Sequence, residues 1–408
     1  MGIHVNFAPD VDVNSNAANP VIGIRSFGED PENVARKSIA YAQGLENAGI
    51  ISVAKHFPGH GDTKNDSHHL LPTIYHDRER LDNVELYPFE RYIKSGLSGI
   101  MVAHLNIPAL GTEGRPSSFS REVVTELLRD QMGFRGLCFT DGLAMKGAVT
   151  GKNESIAVEA LKAGNDVLVG PVNPEKEFEA VKKAVKRKEL KMSELERCCR
   201  RVLCYKYIAG LNEFKTIPSK SLYERLNTPH AEWLNAKLNA EAITLVKNNE
   251  DIIPLKQLNK KRIAAVSLGG TTTNEFQQTL KKYTDIDCYH IPNNAEYKDK
   301  KNIYDKLNQY DIIICSIHNT KAGDSQELSN LAAKKKLILT FFTIPYRCTG
   351  FRNSIKNSQA VILAYEATPL SEDYAAQVIF GGVPAKGTLA VNVPDLFTAG
   401  TGFHNQKT

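Results

Sequence analysis

Short apolar runs alternate with longer amphipathic stretches through about residue 212. The strand candidates there are "IHVNFAP" (3–9), "ISVAKHF" (51–57), "GIMVAHL" (99–105), "GLCFTD" (136–141) and "NDVLVG" (165–170). Between them lie helical patterns such as "PENVARKSIAYAQGLENAG", where Asp30 can cap the start and Gly49 stop the end. Strands followed by amphipathic helices predict βα units and a parallel sheet, with functional residues at the C-terminal ends of the strands. Residues 213–238 read as a connector: "TIPSKSLYERLNTPH" carries two prolines and leads into a helix around Trp233. A second series follows, with "RIAAVSL", "YDIIICSIH", "KKLILTFFT", "QAVILAYEA" and "GTLAVNV" as strands. Helices such as "NEFQQTLKKY" and "SEDYAAQVIF" separate them, which predicts a doubly wound sheet.

A chain of 408 residues exceeds one ordinary domain, in keeping with this change of rhythm. A net charge of +5 is too dilute for a nucleic-acid surface. The densest basic run, "VKKAVKRKELKMSELERCCRRVLCYKY", has Val181, Ala184, Leu190, Leu195 and Val202 at helical spacing, so its charges read as a solvated helix face. The 7 cysteines form no CxxC pair, and Cys198, Cys199 and Cys204 sit in that run as reduced packing residues. No apolar run is long enough to span a membrane. The one glycine-rich turn of the second half, "SLGGTTTNEF", has neither the dinucleotide fingerprint nor a Walker lysine.

Candidate chemistry concentrates in "KHFPGHGDTKNDSHHLLP" (55–72), which holds His56, His60, His68 and His69 of the chain's 11 histidines, with Asp62 and Asp66. A metal site is one reading, but Pro58, Gly59 and Gly61 break the helix that a zincin pair at positions 56 and 60 would need. A polar loop of capping histidines is another. The position in the fold favours a third. Lys55 and His56 close one predicted strand and Asp141 closes another, in "TDGLAMKGA", which brings two basic groups and a carboxylate to one sheet end. That suggests a carboxylate nucleophile among groups that grip hydroxyls.

The same segment resembles the K-H-F-P-G-H-G-D-T-x-x-D-S-H signature of the glycoside hydrolase family 3 β-N-acetylglucosaminidases, two-domain bacterial type. "NPVIGIRSFGEDP", "FTDGLAMKGA" and "NAEAITLVKNNEDIIPL" resemble further segments of that family, in its order. The resemblance implies an α/β fold: a partial (β/α)8 (TIM-type) barrel over 1–212, the connector 213–238, an α/β sandwich domain over 239–400 and a tail 401–408. It implies Asp141 as nucleophile and His68 as general acid/base with Asp66 as its partner, in place of the usual second carboxylate. In an extended segment Asp66 and His68 point to one side, and a carboxylate beside an imidazole favours the proton-bearing form. Arg25, Lys55 and His56 become the sugar-gripping residues, with an ion pair to Glu29 or Asp30 as the purely structural alternative for Arg25. His60 and Asp62 shape the loop, and Ser67 and His69 stand outside the chemistry. No metal and no cofactor are implied, and the partner is a carbohydrate with β-linked N-acetylglucosamine.

The implied activity is a retaining exo-β-N-acetylglucosaminidase acting on cell-wall fragments or amino-sugar oligosaccharides. A phosphorylase on the same scaffold and an inactive sugar-binding partial copy are the alternatives. The chain opens directly on the strand that carries "NFAPDVDV" (6–13). Set against the ~250 residues of a closed barrel, this predicts an incomplete one of about six strands. In that reading the strand at 3–9 is left at an edge, one sugar anchor is missing and turnover is poor. Oligomeric state and compartment are left open.

Overall fold

The structure is a computed structural model that describes residues 2–63, 70–148, 155–213, 216–318 and 325–404. It divides into two compact units, Met1–Pro218 and Ser219–Thr408.

The first unit is built on a parallel sheet in sequential order: β1 (Val5–Asn6), β2 (Ile51–Phe57), β3 (Gly99–Val102) and β4 (Leu137–Thr140). The count of about six strands is corrected to four among the described residues. Strand 3–9 is short because Pro9 has no N–H to extend a ladder, although the chain runs on beside β2 through a bridge between Asp10 and Lys55. Segment 165–170 forms no named strand but lies beside β4 through the bridge Phe139–Val167, with Val167 N–H on Cys138 O and Thr140 N–H on Val167 O. There the Asp166 carboxylate takes the Cys138 N–H at 2.9 Å, so a side chain replaces part of the ladder.

The helix Pro31–Asn47 starts and stops as its sequence predicts. Asp30 accepts from Asn33 N–H at 2.7 Å, and Gly49 sits at φ 78° just beyond the end. Both faces of the sheet are covered. Val11, Ala54, Phe57, Ile100, Val102 and Cys138 pack on one side with Phe89 and Tyr92. Val53, Met101, Leu137 and Phe139 pack on the other with Val202 and Tyr205. Buried on both faces, such strands read as continuous apolar runs until they reach the polar residues at their C-terminal ends. The helix Met192–Ile208 places Cys198 half-buried, whereas Cys199 and Cys204 are exposed, so these two are not packing residues as expected.

The second unit holds a six-stranded sheet ordered β5-β10-β9-β8-β6-β7. Its strands are β5 (Thr244–Asn248), β6 (Ile263–Gly269), β7 (Asp287–Ile291), β8 (Ile312–His318), β9 (Lys336–Phe341) and β10 (Ala360–Leu363). All pairs are parallel except β5 with β10, the doubly wound pattern with one antiparallel edge. The expected strand "GTLAVNV" forms no ladder. Gly387 passes so close to β5 that a Cβ there would lie 2.3 Å from Thr244 Oγ1, and Leu389 N–H turns instead to Thr401 O at 2.9 Å. No helix among the described residues is long and apolar enough to cross a membrane.

Candidate active site

The C-terminal ends of the first sheet gather most of the predicted residues and several unpredicted ones. At the centre is Asp12, fully buried, on the segment that continues β1. Its Oδ2 accepts from His56 Nδ1 at 2.7 Å and from His56 N–H at 3.2 Å, and its Oδ1 accepts from His60 N–H at 2.6 Å. A carboxylate only accepts, so His56 carries its proton on Nδ1 and presents Nε2 as an acceptor. Burial raises the Asp12 pKa, and His60 and the N–H groups of His60 and His56 offset it only in part. His56 is buried and its pKa falls to about 4, chiefly through desolvation. It is a neutral hydrogen-bonding ring at neutral pH.

Asp141 follows β4, half-buried, its N–H bonded to Val102 O and its Oδ1 accepting from Gly142 N–H at 2.8 Å. Burial opposes its charge, but His56, His104 and the Gly142 N–H outweigh burial and hold its pKa below the usual carboxylate range. Asp141 is therefore ionised and available as a nucleophile or as a counter-charge. The expected helix after it is only a turn followed by the short 3₁₀ segment Lys146–Ala148. Lys55 is half-buried. Burial and Arg25 lower its pKa, while the charges of Asp10, Asp141 and Asp12 raise it.

His104 was not among the predicted site residues, although it closes the candidate strand 99–105. It is fully buried, its Nε2–H donates to Gly142 O at 3.2 Å, and its Nδ1 accepts from Ser118 Oγ–H at 2.6 Å. It thereby fixes the turn that carries Asp141. Asp12 and Asp10 were also missed, and the available signal was "PDVDV", two carboxylates two apart at the end of an apolar strand.

Arg25 is brought to the same site, with a structural partner other than the one expected. Its Nε donates to Val21 O at 2.9 Å and lies 3.7 Å from Asp10 Oδ2, rather than pairing with Glu29 or Asp30. Asn19 ties this loop to the histidine loop: its Nδ2 donates to His60 O and Gly61 O, both at 2.9 Å, and its Oδ1 accepts from Val21 and Ile22 N–H. Gly61 must be glycine, since a Cβ would fall 1.7 Å from Val13 O. His60 is buried, bonds Thr63 Oγ1 through Nδ1 at 2.8 Å and has its pKa lowered to about 4, chiefly by burial. Asp62 bonds His76 Nε2 at 2.6 Å. Both shape the loop, as their place in the glycine-rich turn predicts. Asp66 and His68 lie outside the described residues, with Ser67 and His69.

Ligand atoms of Asp10, Asp12 and His56 lie within 4.8 Å of one another, a spacing that could hold a cation. The donor set argues otherwise. Both Asp12 oxygens are taken by N–H groups, and Arg25 and Lys55 already bring positive charge to the cluster. The arrangement suits a polyhydroxylated ligand with an electrophilic carbon over Asp141: cations and N–H donors for oxygens, a ring nitrogen to accept, and an ionised carboxylate.

Comparison with known proteins places the chain in a family. Residues 1–204 match the glycosyl hydrolase family 3 N-terminal domain. The chain is 33% identical over 358 residues to β-hexosaminidase A of Pseudoalteromonas piscicida, covering 83% of this chain and 59% of that protein. It is 41% identical over 176 residues to a β-hexosaminidase of Methylococcus capsulatus, covering 43% of this chain and 52% of the relative. Among solved structures, a glycoside hydrolase family 3 β-N-acetylglucosaminidase from a Paenibacillus species superposes with a TM-score of 0.76 at 30% identity, over 96% of this chain and 77% of that one. The chain spans between half and three-fifths of the length of these two curated relatives.

Proposed function

Because the chain belongs to glycosyl hydrolase family 3, we propose that it is a retaining exo-β-N-acetylglucosaminidase that releases terminal β-linked N-acetylglucosamine from cell-wall fragments or amino-sugar oligosaccharides. The observation that carries the reading is the Asp141 carboxylate, held ionised at a strand end and ringed by His56, His104 and Lys55. In the first step an Asp141 oxygen attacks the anomeric carbon as the bond to the leaving oxygen breaks, and His68, partnered by Asp66, gives that oxygen its proton. In the second step neutral His68 takes a proton from water, which attacks the same carbon and frees Asp141. Arg25, Lys55 and His56 hold the sugar's oxygens. His56 is suited to this role because its Nε2 accepts from a hydroxyl without competing as an acid.

The test is release of p-nitrophenol from p-nitrophenyl N-acetyl-β-glucosaminide, with and without inorganic phosphate. Hydrolysis unaffected by phosphate is expected. Sugar-1-phosphate as product would make the protein a phosphorylase, and no release would make it a sugar-binding relative without turnover.

A further inference from the structure

Asp10 is a carboxyl that the reaction above does not use, and its surroundings are unusual. It lies at the sheet end beside β2, bridged to Lys55, and its side chain is 6% exposed. Oδ1 accepts from Asp12 N–H at 3.2 Å. Oδ2 is buried and has no hydrogen-bond partner among the described residues, although Arg25 Nε stands 3.7 Å away and His56 Nδ1 3.9 Å away. One oxygen therefore sits between two of the groups assigned to the sugar, close to both and, among the described residues, hydrogen-bonded to neither.

We propose that Asp10 is a positioning residue for the sugar site, an anionic partner that holds Arg25 over the site and so sets how tightly the sugar binds. The proposal rests on the sugar-binding reading of Arg25 given above. Arg25 is 40% exposed, so its outer nitrogens can reach a ligand while its Nε is held from below by Val21 O and Asp10. Among the described residues, the charged groups that act on Asp10 are Asp12, His56 and Arg25. Asp12 on its own segment opposes its charge, and Arg25 from the loop and His56 from β2 favour it. Lys55 on β2 feels it in turn. His60 acts one step away, on Asp12. Burial and Asp12 together raise the Asp10 pKa to about 7. Above that pH Asp10 is ionised and Arg25 has its partner, whereas below it Asp10 is neutral and Arg25 is released.

The experiment compares wild type with Asp10→Asn, a shape-matched mimic of the neutral form, at pH 6 and pH 8. With the p-nitrophenyl glycoside, wild-type KM should be about fivefold lower at pH 8 than at pH 6, the size of one half-exposed ion pair. The variant should lose this step, with KM changing more than kcat. In parallel, the Arg25 Nε–H resonance, identified by its loss in Arg25→Lys, should titrate in wild type with a midpoint near 7 and stay flat in Asp10→Asn. A flat wild-type Arg25 resonance, or a KM step that survives in Asp10→Asn, overturns the proposal. An Arg25 resonance that titrates in a protein that neither cleaves nor binds the sugar overturns the sugar reading and leaves the ion pair standing.

Discussion

Both units present a mainly parallel sheet packed between helices, yet their buried polar groups behave in opposite ways. In the first sheet they converge: Asp12 gathers His56 and His60, His104 holds the Asp141 turn, and Arg25 and Lys55 bring positive charge. In the second sheet Ser267, His290, Ser316 and Thr340 fall in one cross-strand row over β6, β7, β8 and β9. Of these, His290 Nδ1, Ser316 Oγ and Thr340 Oγ1 are buried without a hydrogen-bond partner among the described residues. His318 at the end of β8 is buried, stacks on Phe342 and stands 3.4 Å from Glu372, whose carboxylate accepts from Glu275 and Phe276 N–H. This second set includes no lysine or arginine. A shared architecture therefore says little about chemistry. The difference lies in whether charged groups of both signs meet at the strand ends.

The contrast can be broken most severely at Asp141. Asp141→Asn should lower kcat by roughly 10⁴-fold or more, because the covalent step cannot begin, while the far-ultraviolet circular dichroism stays unchanged. Turnover within tenfold of wild type would remove Asp141 from the mechanism. Asp12→Asn should come next. It trades one accepting oxygen for an amide that donates into N–H groups, so His56 loses both its proton position and its orientation. Activity should fall about hundredfold, and urea denaturation should register a loss of about 2 kcal/mol. A variant that unfolds earlier but cleaves normally would make Asp12 a purely structural residue.

The smallest effect is expected in the second sheet. Thr340→Val keeps the shape of a fully buried side chain and removes a hydroxyl without a partner among the described residues, so the chain should gain about 1 kcal/mol by the same denaturation, with activity unaltered. A loss of stability would mean that the hydroxyl is satisfied, and that the second row is more like the first than it looks.

Much of the frame was legible without coordinates. The alternation of apolar runs and amphipathic stretches located β2, β3, β4, β6, β8, β9 and β10, because a strand covered on both faces is apolar along its length. It missed β5, which lies inside a segment recognised only for its likeness to a second-domain opening. It also missed β7, whose half-exposed residues Cys288, Tyr289 and His290 give no clean period. It overread "GTLAVNV", where an apolar alternation serves contacts with β5 and the chain end rather than a ladder. At the site, Lys55, His56 and Asp141 were legible because each ends an apolar run, and Arg25 because its segment resembles a known motif.

By itself the amino-acid sequence determined the α/β class, the strand ends that carry the chemistry, and the family whose motifs these are. Those properties are local: periodicity and contiguous motifs are written along the chain. Only the tertiary structure decided what each group does to the others. Asp12 and His56 are 44 positions apart, so neither reveals that one sets the other's tautomer. His104 follows β3 and steadies the turn after β4, and Arg25 meets Asp10 rather than the acids beside it in sequence. Protonation follows from the same cause. Burial and neighbouring charge keep His56 neutral, Asp141 ionised and Asp10 balanced near neutrality, and both depend on which strands lie side by side.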